Sequence, residues 1–267
     1  MNKLFALQLI VSFLVGGGII TLISLLAEKA NARVSGIILA FPSTVALGFF
    51  FLAWTASTEA VAKVVPATII PLGLAVLFPV IYVFVAEKIH SFITQRVPQI
   101  AISFVICTIS WLIFALPFAL FKFSSLLFGL LGYTILIVLA NYLLHRKNVE
   151  KPVALTYSFA QKVGRAVFVG CVITLITYIS KTVNPFWGGV FSAFPAAYSS
   201  MLMLLHWYYG PEKLLPVVRK VPIGSISIVT YALIAMIVFP TFGFILGTLI
   251  AYVASLIISV MITKLSR

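Results

Sequence analysis

Two prolines sit inside apolar runs of this chain, in Gly36-Ile-Ile-Leu-Ala-Phe41-Pro42 and in Gly189-Val-Phe-Ser-Ala-Phe194-Pro195. A proline within a helix has no N–H and frees a carbonyl in the preceding turn, yet it is well suited to start a new helix. In hydrocarbon the freed carbonyl must be satisfied by a neighbour, by water or by a ligand. A helix that restarts at the proline points free N–H groups and the positive end of its dipole into the membrane, which can hold an anion without any fixed charge. Phe41, Pro42, Phe194 and Pro195 are therefore the leading candidates for a substrate path. For either proline alone, an ordinary kink is the plainer explanation.

The two stretches are copies of one another. Shifting the chain against itself by 153 positions aligns 15 identical residues over the 49 positions from 17 to 65. They include Gly17 with Gly170, Thr21 with Thr174, Asn31 with Asn184, Trp54 with Trp207 and Glu59 with Glu212. Apolar composition alone does not align Asn, Trp and Glu together. The repeated polar groups Thr21, Thr174, Asn31 and Asn184 join the path candidates. A buried Thr usually bonds back to its own helix, and Asn at a span end usually caps it. Ser43, Thr44, Ser199 and Ser200 follow the prolines but differ between the copies. Gly16, Gly17, Gly18 and Gly170 suit close helix approach.

The remaining chemistry is defined by what is missing. The chain has no Asp, and its five Glu (28, 59, 87, 150 and 212) lie outside apolar runs or at their edges. Cation-coupled carriers usually place carboxylates within the membrane, so cation coupling is disfavoured. Three scattered His and two Cys make no metal site, and no base stands beside a nucleophile in any motif. No cofactor, no metal and no enzymatic activity are expected. Cys107 and Cys171 read as packed thiols, and His206 as a snorkelled interfacial side chain beside Trp207, Tyr208 and Tyr209. Trp54, Trp187 and Trp207 fit interfacial belts, whereas Trp111 lies deeper and needs a partner for its indole N–H.

The elements that must carry these residues are membrane helices. At 63% hydrophobic and 9% charged over 267 residues, the chain falls far from the ~45–50% apolar and ~25% charged of soluble domains. Runs able to cross ~30 Å of hydrocarbon lie at about 4–27, 34–56, 64–86, 98–121, 124–144, 163–181, 185–209, 222–239 and 242–263. The weakest boundary among these nine is at Phe121 to Ser124. The net charge of +13 falls in short connections, where it reports topology rather than nucleic-acid binding. Placing the N-terminus outside puts fourteen basic residues, Arg165 among them, on the inner side and only Lys3, Lys63, Lys122 and Lys181 on the outer. The expectation is an all-α polytopic protein of the cell (inner) membrane with a cytoplasmic C-terminus. Five spans precede the second copy, so it enters from the opposite face. The organisation expected is a first four-helix repeat (1–121), an inverting helix with a cytoplasmic loop (122–162) and a second, inverted four-helix repeat (163–267). Inverted repeats are a common construction of secondary transporters, with the site between the halves.

At Gly36-x4-Phe41-Pro42-Ser43-Thr44-Val45-Ala46-Leu47, Glu59 and Ala67-Thr68-Ile69-Ile70, the chain resembles the GlpM/YdgC-like family of small inner-membrane proteins of unknown function. The second copy matches through Gly189-x4-Phe194-Pro195 and Glu212 and departs at Ala196-Ala197-Tyr198. The family's members are typically four-span proteins of about half this length, and some insert in both orientations. The resemblance thus implies an antiparallel pair fused into one chain, and it supplies no substrate and no catalytic residues. The function expected is a transporter or channel-like protein for a small anion or neutral solute, with its path between the two Phe-Pro helices. The rivals are a non-transporting scaffold or regulatory protein and a lipid-handling protein. The partners expected are membrane lipids and a small solute or anion, with a homo-oligomer allowed and nucleic acid excluded.

Overall fold

The computed structural model describes residues 3–29, 42–145 and 158–265. The helices are α1 (Lys3–Lys29), α2 (Ser43–Thr55), α3 (Thr58–His90), α4 (Arg96–Leu120), α5 (Leu126–His145), α6 (Phe159–Thr182), α7 (Pro185–Ser192), α8 (Ala196–Tyr209), α9 (Leu215–Val218) and α10 (Val221–Leu265). A 3-10 turn, Pro211–Lys213, precedes α9, and no strand occurs among the described residues. Seven helical stretches among them are long and apolar enough to cross a membrane, so the chain is an all-helical, multi-pass membrane protein. Its outer surface fits that solvent. Leu14, Ile113, Phe114, Leu127, Phe128, Ile135 and Ile245 are all exposed on outer helices. In water such a surface would be costly, whereas in lipid it is the ordinary case.

Several expected boundaries shift for local reasons. Ser57 caps α3 by accepting from Ala60 N–H, so the helix begins at Thr58 rather than near 64. It then runs for 33 residues through Pro66, Pro71 and Pro79. The weak boundary at Phe121 to Ser124 is a real turn, in which Lys122 takes a left-handed conformation (φ 47°) and ends α4. The two runs expected at 222–239 and 242–263 form one helical segment of 45 residues, broken at Gly243 (φ 73°, ψ 172°). A straight helix of that length would be ~68 Å long, about twice the hydrocarbon thickness. Instead its arms fold back on each other, with Tyr231 against Tyr252 (5.1 Å between centroids) and Ser255 Oγ donating to the Ser227 carbonyl (2.8 Å). Gly243 supplies the positive φ that this reversal needs.

Helix α3 is the central post. It packs against α4, α5, α7 and α10, and Val61, Val64, Val65, Ile69, Phe78 and Tyr82 along it are fully buried. Helices α1 and α6, which carry equivalent parts of the two copies, pack against each other and run antiparallel. Phe5 stacks on Tyr178 at one end (6.2 Å), and Ser12 Oγ meets Thr174 Oγ1 (3.4 Å) further along. At their crossing, a Cβ placed on Gly17 would stand 2.8 Å from the Ala166 carbonyl oxygen, and one on Gly170 would stand 2.8 Å from the Phe13 carbonyl oxygen. These contacts are reciprocal, since residues 13 and 166, like 17 and 170, are related by the shift of 153. Glycine is required at both places because the obstructing atom is backbone, which no side-chain rotation can clear.

Gly17→Ala and Gly170→Ala are each expected to cost about 1–3 kcal/mol, as overpacked sites do. Gly18→Ala, where the new methyl meets nothing within 4 Å, is expected to stay within ~0.5 kcal/mol of the parent. Unfolding in mixed detergent–SDS micelles measures the three side by side.

Candidate functional site at the paired helix breaks

Pro42 and Pro195 start the half-helices α2 and α8 in nearly the same backbone conformation, at φ −76°, ψ 49° and φ −80°, ψ 54°. The Pro42 carbonyl accepts from Ala46 N–H (2.9 Å) and the Pro195 carbonyl from Ser199 N–H (2.8 Å). Neither N-terminus has a side-chain cap. Both open on one cavity of about 50 Å³, lined from α2 by Pro42, Ser43, Thr44 and Val45 and from the second break by Ala193, Phe194, Pro195, Ala197 and Tyr198. Helix α3 contributes Leu72, Ala75 and Val76, and Tyr133, Ser225 and Ile228 close the rest. At ~10–15 Å³ per water-sized centre, this volume holds roughly three to five waters or a small inorganic ion.

The polar groups of this cavity are hydroxyls. Ser43 and Thr44 are 5% and 8% exposed, and among the described residues neither hydroxyl has a hydrogen-bond partner. The Tyr198 hydroxyl is likewise unpartnered. Ser225 Oγ donates to the Pro222 carbonyl (2.7 Å), so Tyr133 Oη must donate to Ser225 Oγ (2.7 Å). None of these hydroxyls is among the fully enclosed, unsatisfied polar atoms of the described residues, so each has surface open to the cavity, where water or a hydrogen-bonding solute can meet it. With two dipole N-termini alongside and no carboxylate in the lining, the environment favours acceptors and negative charge.

The path candidates separate into two groups. Pro42, Phe194 and Pro195 line the cavity. Phe194 is wedged edge-on against Phe78 (6.1 Å) and Trp111 (5.3 Å), and the Trp111 indole donates to the Pro71 carbonyl (3.3 Å). Thr21 and Thr174 are elsewhere. They bond back to the Gly17 and Gly170 carbonyls (2.9 and 2.8 Å), on the helices whose crossing they flank. Asn184 caps α7 by accepting from Phe186 and Trp187 N–H, at the end of α7 away from the break. Asn31 and Phe41 lie outside the described residues.

Three residues behave differently from their reading in the sequence. His206 is fully buried rather than snorkelled. Its Nδ1 accepts from Tyr82 Oη (3.2 Å) and its Nε2 donates to Gln99 Oε1 (3.0 Å), while Gln99 Nε2 reaches His90 Nδ1 (3.1 Å) and the Ile93 carbonyl. This chain of bonds ties α8 to α3 and to the start of α4, where Arg96 also donates to the Trp207 carbonyl. Arg165 is 4% exposed inside α6 rather than in a connection. The helix starts at Phe159 because Ser158 and Gln161 form a reciprocal capping box, which carries residue 165 into the second turn, facing α8. Its Nε donates to Ser200 Oγ (3.3 Å). Cys107 is buried as expected, whereas Cys171 is exposed on α6. The polarity of His206 and Arg165 was visible in the sequence, but the helix face that each occupies was not.

No family model, curated protein or solved structure matches the chain.

Replacing His206 by Leu orphans the Tyr82 hydroxyl and the Gln99 amide, at an expected cost of about 1–3 kcal/mol for each group. Tyr82→Phe on top of His206→Leu should cost less than the sum of the two single changes, because the orphaned hydroxyl is gone. Detergent unfolding of the two single variants and the double variant measures this coupling.

Proposed function

We propose that the chain is a membrane transporter or channel-like protein for a small anion or neutral solute, with its path between the two Phe-Pro helices. The observation that carries this reading is the convergence of two uncapped helix N-termini on one cavity lined by Ser43 and Thr44. Between the two cargo classes the donor-rich, carboxylate-free lining favours an anion, and the volume of about 50 Å³ favours a small one.

The architecture that goes with this function is an inverted duplication of nine crossings, with the N-terminus outside and the C-terminus cytoplasmic in the inner membrane. The antiparallel packing of α1 on α6 and the reciprocal contacts of Gly17 and Gly170 support it. The hairpin at Gly243 supports two crossings from the last helical segment. In this reading the chain is a fused antiparallel pair of GlpM/YdgC-like units.

A scaffold or regulatory protein is the second reading, and the small, mostly apolar cavity is what favours it. Flux decides between the two. Purified protein in liposomes is expected to pass chloride or nitrate. Ser43→Ala with Thr44→Ala should slow that flux about 30-fold, at ~1 kcal/mol per hydroxyl. Absence of flux for any small anion or polyol overturns the transport reading in favour of the scaffold. A reporter placed at residues 146–157 should register as cytoplasmic, and an external signal there would remove the inverted topology.

A further inference from the structure

His206 is an ionisable side chain that the proposed path does not use. It lies on α8 eleven residues beyond Pro195, about 16 Å along the helix from the cavity at the breaks. The ring is fully buried, as are Tyr82 of α3 and Gln99 of α4, the two side chains bonded to it. The described residues account for every polar contact these three make. We infer that the cluster is an acid-operated latch: with His206 neutral it fastens the end of α8 to α3 and α4, and uptake of a proton by His206 releases it. The latch goes beyond the transport reading and depends on it only for the effect of release on flux.

The Ile93 carbonyl fixes where the protons are. A carbonyl only accepts, so the Gln99 atom beside it is the amide nitrogen, which also reaches His90 Nδ1 (3.1 Å). Gln99 Oε1 is thereby the atom turned to His206, and His206 Nε2 must carry the hydrogen of that bond (3.0 Å). The neutral ring is left with a lone pair at Nδ1, and Tyr82 Oη donates to it (3.2 Å). Charging the ring puts a hydrogen on Nδ1 where the Tyr82 hydrogen now lies. One of the two must turn away, and among the described residues the Tyr82 hydroxyl has no other hydrogen-bond partner. A buried hydroxyl without an acceptor and a buried imidazolium without a carboxylate are both costly. The bond that fails is the one joining α8 to α3.

The charges around the ring act in the same direction. Arg96 of α4, which donates to the Trp207 carbonyl, and His90 of α3 face it, so a proton on His206 adds a cation beside basic groups already there. No carboxylate bonds to the ring, Glu87 of α3 and Glu212 of the 3-10 turn included. Lys213 follows in that turn, and α2 carries no titratable group. Arg165 of α6 is turned to Ser200 on α8, beside a separate cavity of about 350 Å³. The chain of bonds ends at the exposed ring of His90, where it reaches bulk water. The first copy has no such latch. Ala53 stands at the position equivalent to His206, and the end of α2 is held instead by Gln8 and Lys181, donating to the Trp54 and Thr55 carbonyls (3.1 and 3.0 Å). Of the two half-helices that start at the prolines, only α8 is fastened through an imidazole.

Spin labels on Ser91→Cys at the end of α3 and Tyr208→Cys at the end of α8 read the latch, in full-length protein carrying Cys107→Ala and Cys171→Ser in phosphatidylcholine nanodiscs. Lowering the pH from about 7.5 to about 4.5, across the imidazole range, is expected to lengthen the distance between the labels by more than ~2 Å. Nitrogen NMR of histidine-labelled protein follows His206 over the same range, from the Nε2–H tautomer to the imidazolium. His206→Gln keeps an acceptor for Tyr82 and a donor for Gln99 but takes up no proton, and its label distance is expected to stay constant. A distance that does not change in the parent, or that changes equally in His206→Gln, overturns the latch. If His206→Gln fails to fold, the parent alone decides: a change that tracks the titration of His206 supports the latch, and a change while His206 stays neutral overturns it. Liposome flux keeps the two claims apart. A pH-dependent distance with no flux at any pH leaves the latch and removes the path, whereas flux with a pH-independent distance leaves the path and removes the latch.

Discussion

A proline within an apolar run leaves backbone groups that lipid cannot satisfy, and in this fold α2 and α8 both start at such a proline, in nearly identical conformations. The rest of the molecule is arranged around keeping them out of hydrocarbon. Helix α3 stands against both, α5 and α10 contribute Tyr133 and Ser225 to the enclosure, and the aromatic wedge of Phe78, Trp111 and Phe194 seals the side toward α4. The inner elements α3, α7 and α8 are consequently mostly buried, while α1, α4, α5 and α10 present apolar faces outward. The starts of α2 and α8 lie within the best-shielded part of the fold, and Ser43 and Thr44 line the space left between them.

The second constraint is the glycine crossing of α1 and α6. Equivalent residues make reciprocal contacts there, Gly17 with Ala166 and Gly170 with Phe13, so the two helices approach equally closely from either side. Close to that crossing the copies stay alike, down to the matching back-bonds of Thr21 and Thr174. Away from it they diverge. Ser12 corresponds to Arg165 and Leu47 to Ser200, and these differences place a cation and a larger cavity in one half only.

Much of the framework was readable in advance. Apolar runs of membrane-spanning length, the shift of 153 and the paired Phe-Pro breaks are properties of the linear chain, because hydrocarbon demands continuous apolar stretches and proline acts on its own backbone. Caps were readable for the same local reason, as Asn184 shows. Helix ends set by a single cap or turn residue were less so. Ser57 extends α3 forward, and the separation expected between 239 and 242 falls at Gly243.

The sequence by itself determined that this is an all-helical membrane protein with helices starting at Pro42 and Pro195, since those outcomes follow from local backbone chemistry and from solubility in lipid. Only the tertiary structure decided which side chains share a space. It brought Pro42 and Pro195 to one cavity, buried His206 in a network with Tyr82 and Gln99, and turned Arg165 inward onto Ser200 beside a second cavity. These placements depend on the rotation of each helix about its axis and on which partner it meets. In a chain whose helices are apolar on nearly every face, no amphipathic stripe records that rotation.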